Sequence, residues 1–263
     1  MRRILKPKPP PKTEQALPPA TAGNQRVYAI GDIHGRLDLL NTLLGMIEKD
    51  MGEKAAQSKI VFLGDYIDRG PDSKGVIERL MAPLPGDGSP VFLLGNHEQV
   101  LLGLFNKLEG GPGWLSYGGL ATLLSYGIPC PMGTPTEERL KELQNNLKEK
   151  FPPAHKDFLA KMPLFWICGD YYFVHAGVHP EKPLAVQTER DQLWIRHGFL
   201  DWTGGPLEKM IVHGHTVSAK PQRRLHRIGI DTGAYASGNL TALVLEGTTR
   251  RLLQTGSAKD LTG

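Results

Sequence analysis

The sequence predicts an α/β fold with two β-sheets flanked by helices. In its first half, short apolar segments alternate with amphipathic helical segments, which is typical of βαβ units. In its second half, strand-like segments follow one another closely without helices between them, which indicates a second sheet. Five of the strand-like segments end in a glycine or histidine turn that carries Asp, Asn or His. Since sites of α/β sheets lie at strand carboxyl ends, these turns predict a functional site.

The strands are predicted from short apolar runs bounded by turn residues. In chain order they cover residues 26–30, 60–63, 91–94, 171–174, 210–212, 227–231, 240–245 and 250–255. Helices are predicted over residues 36–50, 74–81, 98–108 and 114–126. In the first of these, Leu37, Leu40, Leu44 and Ile47 recur at helical spacing and would form one buried face.

The region from about residue 109 to 168 interrupts the strand rhythm and is predicted to be a helical cap insertion. Thr134, Pro135 and Glu137 form a capping-box pattern with proline at the first helical position, so a further helix is expected to begin there. A helical insertion between site-bearing strands often covers a pocket. Its apolar stripe also predicts that part of it covers the core.

The chain of 263 residues is predicted to comprise a disordered tail over residues 1–24 and one domain over residues 25–263. The tail is rich in proline and basic residues and has no apolar segment of the kind found in a secretory signal. Its five basic residues against one acidic residue leave +4, which equals the formal charge of the whole chain. The domain is therefore formally neutral, and a nucleic-acid partner is not expected.

No apolar run approaches the ~20 residues of a membrane span, so no spanning helix is expected. Cys130 and Cys168 are the two cysteines, and they are too few and too widely spaced for a zinc motif or a disulfide framework. We interpret both as structural thiols. Together these features predict a cytoplasmic protein.

The strand ends supply ligand-type side chains, and the six candidates are Asp32, His34, Asp65, Asn96, His175 and His215. Carboxylates and imidazoles together suit manganese, iron or zinc better than calcium or magnesium alone. Six ligands are too many for one tetrahedral ion, and they suit two ions that share a carboxylate about 3.5–4 Å apart. We expect manganese, and the ligand types also permit iron or zinc.

Two arginines accompany these ligands in the sequence. Asp65 and Asp68 would repel each other unless positive charge lies beside them, and Arg69 alone is one partner for two acids. Arg69 and Arg196 offer forked donors that match a tetrahedral oxyanion. The implied substrate is a phosphate ester.

The motifs resemble those of the metal-dependent serine/threonine phosphoprotein phosphatase family. Its three signature motifs resemble residues 31–35 (GDIHG), 64–70 (GDYIDRG) and 95–98 (GNHE). Its later metal motifs resemble residues 175–177 (HAG) and 213–216 (HGHT), and the segment with its second phosphate arginine resembles residues 193–196 (LWIR). The HGHT motif and residues 114–119 (WLSYGG) are more similar to bacterial and phage members than to eukaryotic ones.

The resemblance implies a role for each matching residue. Asp32, His34 and Asp65 would hold the first ion, and Asp65, Asn96, His175 and His215 the second. Arg69, Asn96 and Arg196 would bind the substrate phosphate, and His97, oriented by Asp68, would protonate the leaving oxygen. A hydroxide that bridges the two ions would attack the phosphorus. The resemblance also implies the calcineurin-like sandwich of two sheets.

Three functions are weighed for such a site. The first is a protein phosphatase acting on phosphorylated serine and threonine in a protein or peptide. The second is a symmetrical diadenosine tetraphosphate hydrolase, whose family shares the fold and the metals. Those enzymes typically have alanine at the position of Asp68 and aspartate at the position of Glu98, so both residues favour the protein phosphatase. A binding module without activity would require lost ligands, and none is lost.

Overall fold

The computed structural model describes residues 18–23, 25–130 and 136–256. Within them the strands are β1 (Arg26–Ile30), β2 (Ser58–Phe62), β3 (Val91–Phe92), β4 (Phe165–Cys168), β5 (Tyr171–Val174), β6 (Met210–His213), β7 (Gln222–Arg223), β8 (Arg227–Gly229), β9 (Thr241–Glu246) and β10 (Thr249–Gln254). They form two five-stranded sheets, with the orders β10-β9-β1-β2-β3 and β4-β5-β6-β8-β7. The predicted two-sheet α/β fold is confirmed.

Helices connect the strands and flank the sheets. They are α1 (Leu37–Met51), α2 (Ser73–Met81), α3 (Asn96–Leu104), α4 (Gly111–Trp114), α5 (Leu120–Ser125), α6 (Glu137–Lys150), α7 (Pro153–Ala160), α8 (Glu189–Trp194) and α9 (Ala234–Ser237). A π-type turn, Leu115–Gly119, joins α4 to α5. The predicted helix over residues 114–126 is therefore interrupted.

Alternation along β1 shows how the sandwich forms. Val27 and Ala29 face the second sheet and share an apolar cluster with Phe173 of β5. Tyr28 and Ile30 point the other way and pack in the cluster that contains α1. Because side chains alternate along a strand, one short apolar run can bury both faces. The first sheet therefore lies between the second sheet and the helices.

The parallel strands of both sheets bring their carboxyl ends together. In the first sheet β1, β2 and β3 are mutually parallel, and in the second sheet β5, β6 and β8 are. Backbone hydrogen bonds continue past the strand ends, from Leu63 N to Ile30 O and from Gly214 N to His175 O. The loops that follow these six strands therefore start from one edge of the sandwich.

The insertion between β3 and β5 differs in part from its prediction. Leu147 of α6 and Leu159 of α7 are buried in the main core cluster, so these helices cover the core. The side chains of Trp114 and Tyr117 instead line a cavity at the site edge, as a cap would. The last residues of the predicted insertion form the edge strand β4 rather than helix.

The start of α6 also differs from the sequence prediction. Thr136 is the N-cap residue, and its side chain accepts a hydrogen bond from Arg139 N. Thr134 and Pro135, which were predicted to begin this helix, lie outside the described residues. Thr136 offers the same hydroxyl chemistry two positions later, so the pattern located the helix but not its first residue.

The tail boundary predicted at residue 24 needs correction. Residues 1–17 and 24 lie outside the described part of the chain, but residues 18–23 contact the domain. Ala20 N donates to a carboxylate oxygen of Asp170 at 3.0 Å, and Asp170 N donates to Ala20 O at 2.9 Å. Thr21 N donates to Gly247 O at 3.0 Å, and Gly247 N donates to Thr21 Oγ1 at 2.9 Å. These bonds tie residues 20 and 21 to both sheets.

In the described ranges, no helix combines the length and the apolar character needed to cross a membrane.

Two truncations separate the tail from this ordered segment. Deleting residues 1–17 should leave the melting temperature within about 1 °C, whereas deleting residues 1–24 should lower it by about 5 °C or more. The difference arises because the longer deletion removes hydrogen bonds that each contribute about 1 kcal/mol. Thermal unfolding of both truncated proteins checks this. Equal melting temperatures would show that residues 18–24 contribute nothing to stability.

Candidate metal centre

The carboxylate of Asp65 belongs to two clusters of ligand-type atoms. One cluster joins Asp65 to His34 and His97, and the other joins it to His175 and His215. All five side chains are buried, and within each cluster the ligand atoms lie within 4.8 Å of one another. One carboxylate is thus shared between two adjacent groups, as expected for a site that holds two ions.

The loop after β2 is held in place by backbone hydrogen bonds. Asp65 O accepts from the backbone N–H of Ile33 and of His34, at 3.0 and 2.9 Å. Asp65 N donates to Glu98 Oε2 at 2.9 Å, and Glu98 Oε1 accepts from Tyr66 N at 2.8 Å. These bonds connect the loops after β1, β2 and β3. The Asp65 carboxylate is therefore positioned by three strand ends.

Glycines allow these loops to approach closely. Gly64 has a φ of 100°, and a Cβ built there would lie 2.7 Å from Gly95 Cα. A Cβ built on Gly95 would lie 2.2 Å from Asp65 N. Any side chain at either position would push the second and third loops apart.

Two of the imidazoles beside Asp65, those of His34 and His175, present unprotonated nitrogens to it. His34 Nδ1 lies 2.8 Å from Ile67 O, and His175 Nδ1 lies 2.8 Å from Leu63 O. A carbonyl oxygen only accepts, so each Nδ1 carries the proton and Nε2 is the acceptor of the neutral ring. Burial lowers the pKa of His34 to about 3 and also lowers the pKa of His175, which keeps both rings neutral.

These acceptor nitrogens face further acceptors. Nε2 of His34 lies 3.5 Å from Asp65 Oδ2, and Nε2 of His175 lies 3.4 Å from Asp65 Oδ1. Asn96 Oδ1 lies 2.8 Å from His175 Nε2 and 2.9 Å from His215 Nδ1. His215 Nε2 is buried and has no hydrogen-bond partner among the described residues. Acceptors that converge in this way need a cation between them, so the donor set fits metal ions.

Asp32 lies beside these clusters and belongs to neither of them. Both of its carboxylate oxygens accept from His215 N, at 3.2 and 3.0 Å. Burial raises the pKa of Asp32 well above its ordinary value, and the carboxylates of Asp231 and Asp65 raise it further. A cation in contact with Asp32 would relieve this repulsion. The structure therefore places Asp32 next to the predicted first ion without showing it among the tightly grouped ligands.

His97 and Asp68 form a buried pair. His97 Nδ1 lies 2.6 Å from Asp68 Oδ2, and the same oxygen accepts from Trp114 Nε1 at 2.7 Å. Thr122 Oγ1 donates to Asp68 Oδ1 at 2.6 Å. Burial disfavours protonation of His97, but the carboxylates of Asp65 and Asp68 outweigh it and raise the pKa of His97. This geometry suits a protonated imidazole whose Nε2 faces the site.

The two predicted phosphate arginines line one cavity of about 290 Å³ together with His97, Asn96 and His215. Arg69 Nη1 donates to His34 Nε2 at 2.9 Å, and Arg69 Nη2 lies 3.1 Å from His97 Nε2. Its guanidinium also lies over the ring of Tyr235, 4.8 Å from the centroid. The cavity thus combines two guanidinium groups with the candidate metal ligands.

Backbone strain is concentrated at the site. Among the described residues, the non-glycine residues with positive φ are His34, Asp65, Asp68, Arg69 and His215. Each costs about 1–3 kcal/mol and persists only where surrounding contacts over-determine the conformation. Such outliers cluster at functional sites, and here all five belong to the predicted site.

Sequence reasoning missed Asp231 and Tyr235. Asp231 follows β8 and is 2% exposed, and its carboxylate influences the pKa of Asp32. Tyr235 contacts Arg69 through its ring face and lies edge-on to the ring of His34. The strand-end pattern could have identified Asp231, because the strand predicted over residues 227–231 ends in this aspartate.

Alanine substitutions at two glycines of the cap should distinguish an effect on the position of Arg69 from an effect on helix propensity. Gly118 has a φ of 112°, and an added Cβ would lie 2.7 Å from Arg69 N, so Gly118→Ala should displace the arginine. We expect a lower melting temperature and an inhibition constant for inorganic phosphate that is about tenfold higher.

Gly113→Ala is the matched control. Gly113 lines the cavity that contains the two arginines, but an added Cβ there would meet open space, and alanine is the better helix former by up to about 1 kcal/mol. Melting temperature and phosphate inhibition are measured for both variants. Equal behaviour of the two would contradict a role for Gly118 in positioning Arg69.

Residues 25–239 match the family described as calcineurin-like phosphoesterase. A bis(5'-nucleosyl)-tetraphosphatase PrpE (asymmetrical) of Oceanobacillus iheyensis is 30% identical over 239 residues, which cover 82% of this chain and 87% of that protein. A protein of the same name from Bacillus cereus is 27% identical over 234 residues, with 81% and 88% covered.

Solved structures show the same fold. A protein proposed to be a diadenosine tetraphosphatase aligns with a TM-score of 0.58 at 23% identity, covering 89% of this chain and 98% of that one. A cold-active protein tyrosine phosphatase aligns with a TM-score of 0.56 at 18% identity, covering 91% and 81%. This chain therefore belongs to the calcineurin-like phosphoesterase family, whose members hydrolyse phosphoesters with a binuclear divalent metal centre.

Proposed function

We propose that this protein hydrolyses dinucleoside polyphosphates and cleaves them asymmetrically. The observation that carries the proposal is the set of exposed aromatic side chains around the phosphate cleft. Tyr117 is 69% exposed, Trp194 40% and Tyr235 38%. Nucleobases stack on exposed aromatic rings, whereas a phosphate group alone needs only the arginines and the metal ligands. The names of the relatives from Oceanobacillus and Bacillus support the same substrate class.

The cleft is long enough for an extended substrate. The inner cavity adjoins an outer cavity of about 850 Å³, and both are lined by Trp194 and Arg196. Trp194 is held by a hydrogen bond from its Nε1 to Gln99 Oε1 at 2.7 Å. A polyphosphate chain on the arginines could therefore keep one nucleoside near the inner cavity and the other in the outer one. This arrangement supports the alternative substrate weighed from the sequence better than it supports a phosphoprotein.

Two divalent ions, manganese by expectation, complete the proposed site. Asp32, His34 and Asp65 would hold one ion, and Asp65, Asn96, His175 and His215 would hold the other. When bound, the ions supply Lewis-acid stabilisation of the phosphoryl oxygens and activation of the attacking water. Residues of both sheets therefore contribute ligands.

The protein's own cations would bind the phosphoryl oxygens. Arg69 and Arg196 would donate to them from two sides of the cavity, with the Asn96 amide as a further donor. The Arg69 guanidinium donates to His34 Nε2, and one lone pair cannot serve both a guanidinium and a metal. Metal at His34 would therefore replace this contact and leave the guanidinium for the substrate.

His97 would hold the proton for the leaving oxygen. Asp68 accepts from Nδ1 and stabilises the charged imidazole, and the carboxylates of Asp65 and Asp68 raise the pKa of His97, which favours the protonated ring. Because Nε2 faces the cavity that contains Arg69 and Asn96, the proton can reach an oxygen of a phosphate bound there.

The His97–Asp68 pair also favours a second candidate, hydrolysis of phosphoserine and phosphothreonine in proteins. A serine alkoxide is a poor leaving group and needs a general acid, whereas the phosphate leaving group of a dinucleoside polyphosphate needs one much less. The pair is intact and fully hydrogen-bonded. Phosphomonoesters are therefore worth testing beside dinucleotides.

Removal of the shared ligand, Asp65, should weaken the binding of both ions. Asp65→Asn should lose metal from both positions and nearly all activity, because the same carboxylate contacts both clusters. Chelation should abolish wild-type activity, and manganese should restore it. Metal content and rate are measured together. Two tightly bound ions in Asp65→Asn would show that the carboxylate is not shared.

Loss of the proposed acid should depend on the leaving group. His97→Asn should lose most of the about 10²–10⁴-fold that general acids contribute when the substrate is a phosphoserine peptide. The loss should be smaller with p-nitrophenyl phosphate and with diadenosine tetraphosphate, whose leaving oxygens are less basic. Arg196→Ala serves as the control, since a phosphate-binding residue should affect every substrate alike. Equal losses for His97→Asn on all three would exclude the acid role.

Product analysis tests the substrate class directly. The purified manganese-loaded protein should act on diadenosine tetraphosphate with a kcat/KM about tenfold or more above that for a phosphoserine peptide. Chromatography should show ATP and AMP, whereas symmetrical cleavage would give ADP alone. Asp65→Asn purified in parallel controls for contaminating activity. A preference for the peptide would overturn the proposal in favour of the second candidate.

A further inference from the structure

Of the six parallel strands in the described ranges, β8 is the one not followed by a candidate ligand, and Asp231 lies just after it. The other five parallel strands, β1, β2, β3, β5 and β6, are each followed by a candidate ligand. β8 is parallel to β6, and Ile230 N donates to His213 O beyond the last pair of the ladder. Asp231 therefore begins its loop at the same edge and depth as the other ligands.

The backbone brings Asp231 next to Asp32. A Cβ built on Gly31 would lie 2.7 Å from Ile230 O, so the chain segments before the two aspartates are in close contact. Asp32 and Asp231 are each only 2% exposed, so both carboxylates are buried at this contact. Two ionised carboxylates buried side by side repel each other strongly unless a cation lies with them.

One oxygen of Asp231 is held and the other is not. Oδ1 accepts from Gly233 N at 2.8 Å, while Oδ2 is buried and has no hydrogen-bond partner among the described residues. Thr216 Oγ1, on the loop whose Ser218 N donates to Asp231 O, is also buried without a partner in the described ranges. Buried polar atoms are nearly always satisfied, so the free Oδ2 indicates a bound polar species beside it.

We propose that Asp231 is a positioning residue of the metal centre, and that its Oδ2 would accept a hydrogen bond from a water held by the ion on the Asp32 side. The hydrogen bond from Gly233 N to Oδ1 fixes the side chain, and Oδ2 would remain available for that water. Three carboxylates, those of Asp32, Asp65 and Asp231, would then surround this ion. The proposal does not depend on which phosphate ester the protein hydrolyses.

Metal affinity tests the proposal without any substrate. Asp231→Asn has the same shape and keeps an oxygen for Gly233, but it removes the charge. In the full-length protein, one of the two manganese ions should bind about 10–100-fold less tightly while the other is little changed, as is usual when a group that supports one ion is lost. Chelator competition, with manganese detected by electron paramagnetic resonance, measures this for each ion.

Thermal unfolding gives a second, independent test, because the melting temperature of Asp231→Asn should change in opposite directions without and with metal. Without metal, Asp231→Asn should raise the melting temperature because repulsion with Asp32 is relieved. With saturating manganese, the same variant should melt below the wild type because its ion binds less tightly. A purely structural aspartate would shift both melting temperatures in the same direction.

Asp50→Asn is the matched control, because Asp50 is paired with Arg251 and Tyr28 near the opposite end of β1. It should lower both melting temperatures and leave manganese affinity unchanged. If Asp231→Asn does not fold, Asp231→Ser is measured in the same way. The proposal would be overturned if Asp231→Asn bound both manganese ions within about twofold of the wild-type affinity. It would also be overturned if the melting temperature of the variant changed in the same direction with and without manganese.

Discussion

The shared carboxylate of Asp65 is the constraint on which the rest of the site depends. It lies within 3.4–3.8 Å of imidazole nitrogens of His34, His97 and His175, which come from both sheets. Such a group can be buried only if cations lie around it and if its own backbone is fixed. The packing of the two sheets face to face, the glycine contacts between loops and the hydrogen bonds of Glu98 all position this one carboxylate.

The strain at the site follows from the same constraint. Five non-glycine residues adopt positive φ among the described residues, and all of them carry site side chains. Their conformations are maintained because each loop is bonded to its neighbours, for example through Glu98 to Asp65 and Tyr66. The scaffold therefore stabilises an arrangement that the loops would not adopt alone, which is a known basis of preorganised sites.

In the sequence, Asp68 and Glu98 favoured a protein phosphatase. Their contacts in the structure lead to a different interpretation of both residues. Glu98 binds backbone N–H groups of the second loop, so its presence reflects how the loops are held together. Asp68 binds His97, Trp114 and Thr122 and so links the loop after β2 to the cap. Neither side chain reaches the rim where substrates differ. The aromatic side chains at that rim bear on substrate class more directly.

The sequence by itself determined the two sheets, most helices and the chemistry of the site. Strand periodicity located β1, β5 and most other strands, because buried strands require short apolar runs. Turns with glycine and Asp, Asn or His identified the ligand-type residues, because these side chains rarely recur after several strands unless they form a site. The interrupted helix around Gly118 and the edge strand β4 escaped prediction, since they depend on contacts far along the chain.

Only the tertiary structure decided which ligand-type side chains lie together and which further residues lie beside them. Asp231 and Tyr235 are distant in sequence from the signature motifs, and the return of β8 beside β6 brings them to the site. The order of residues 18–23 likewise depends on Asp170 and Gly247, more than 140 positions away. Local sequence patterns predict the secondary structure of each segment. Charge pairing and the sharing of ligands depend instead on distances between side chains, and these are set only when the two sheets pack together.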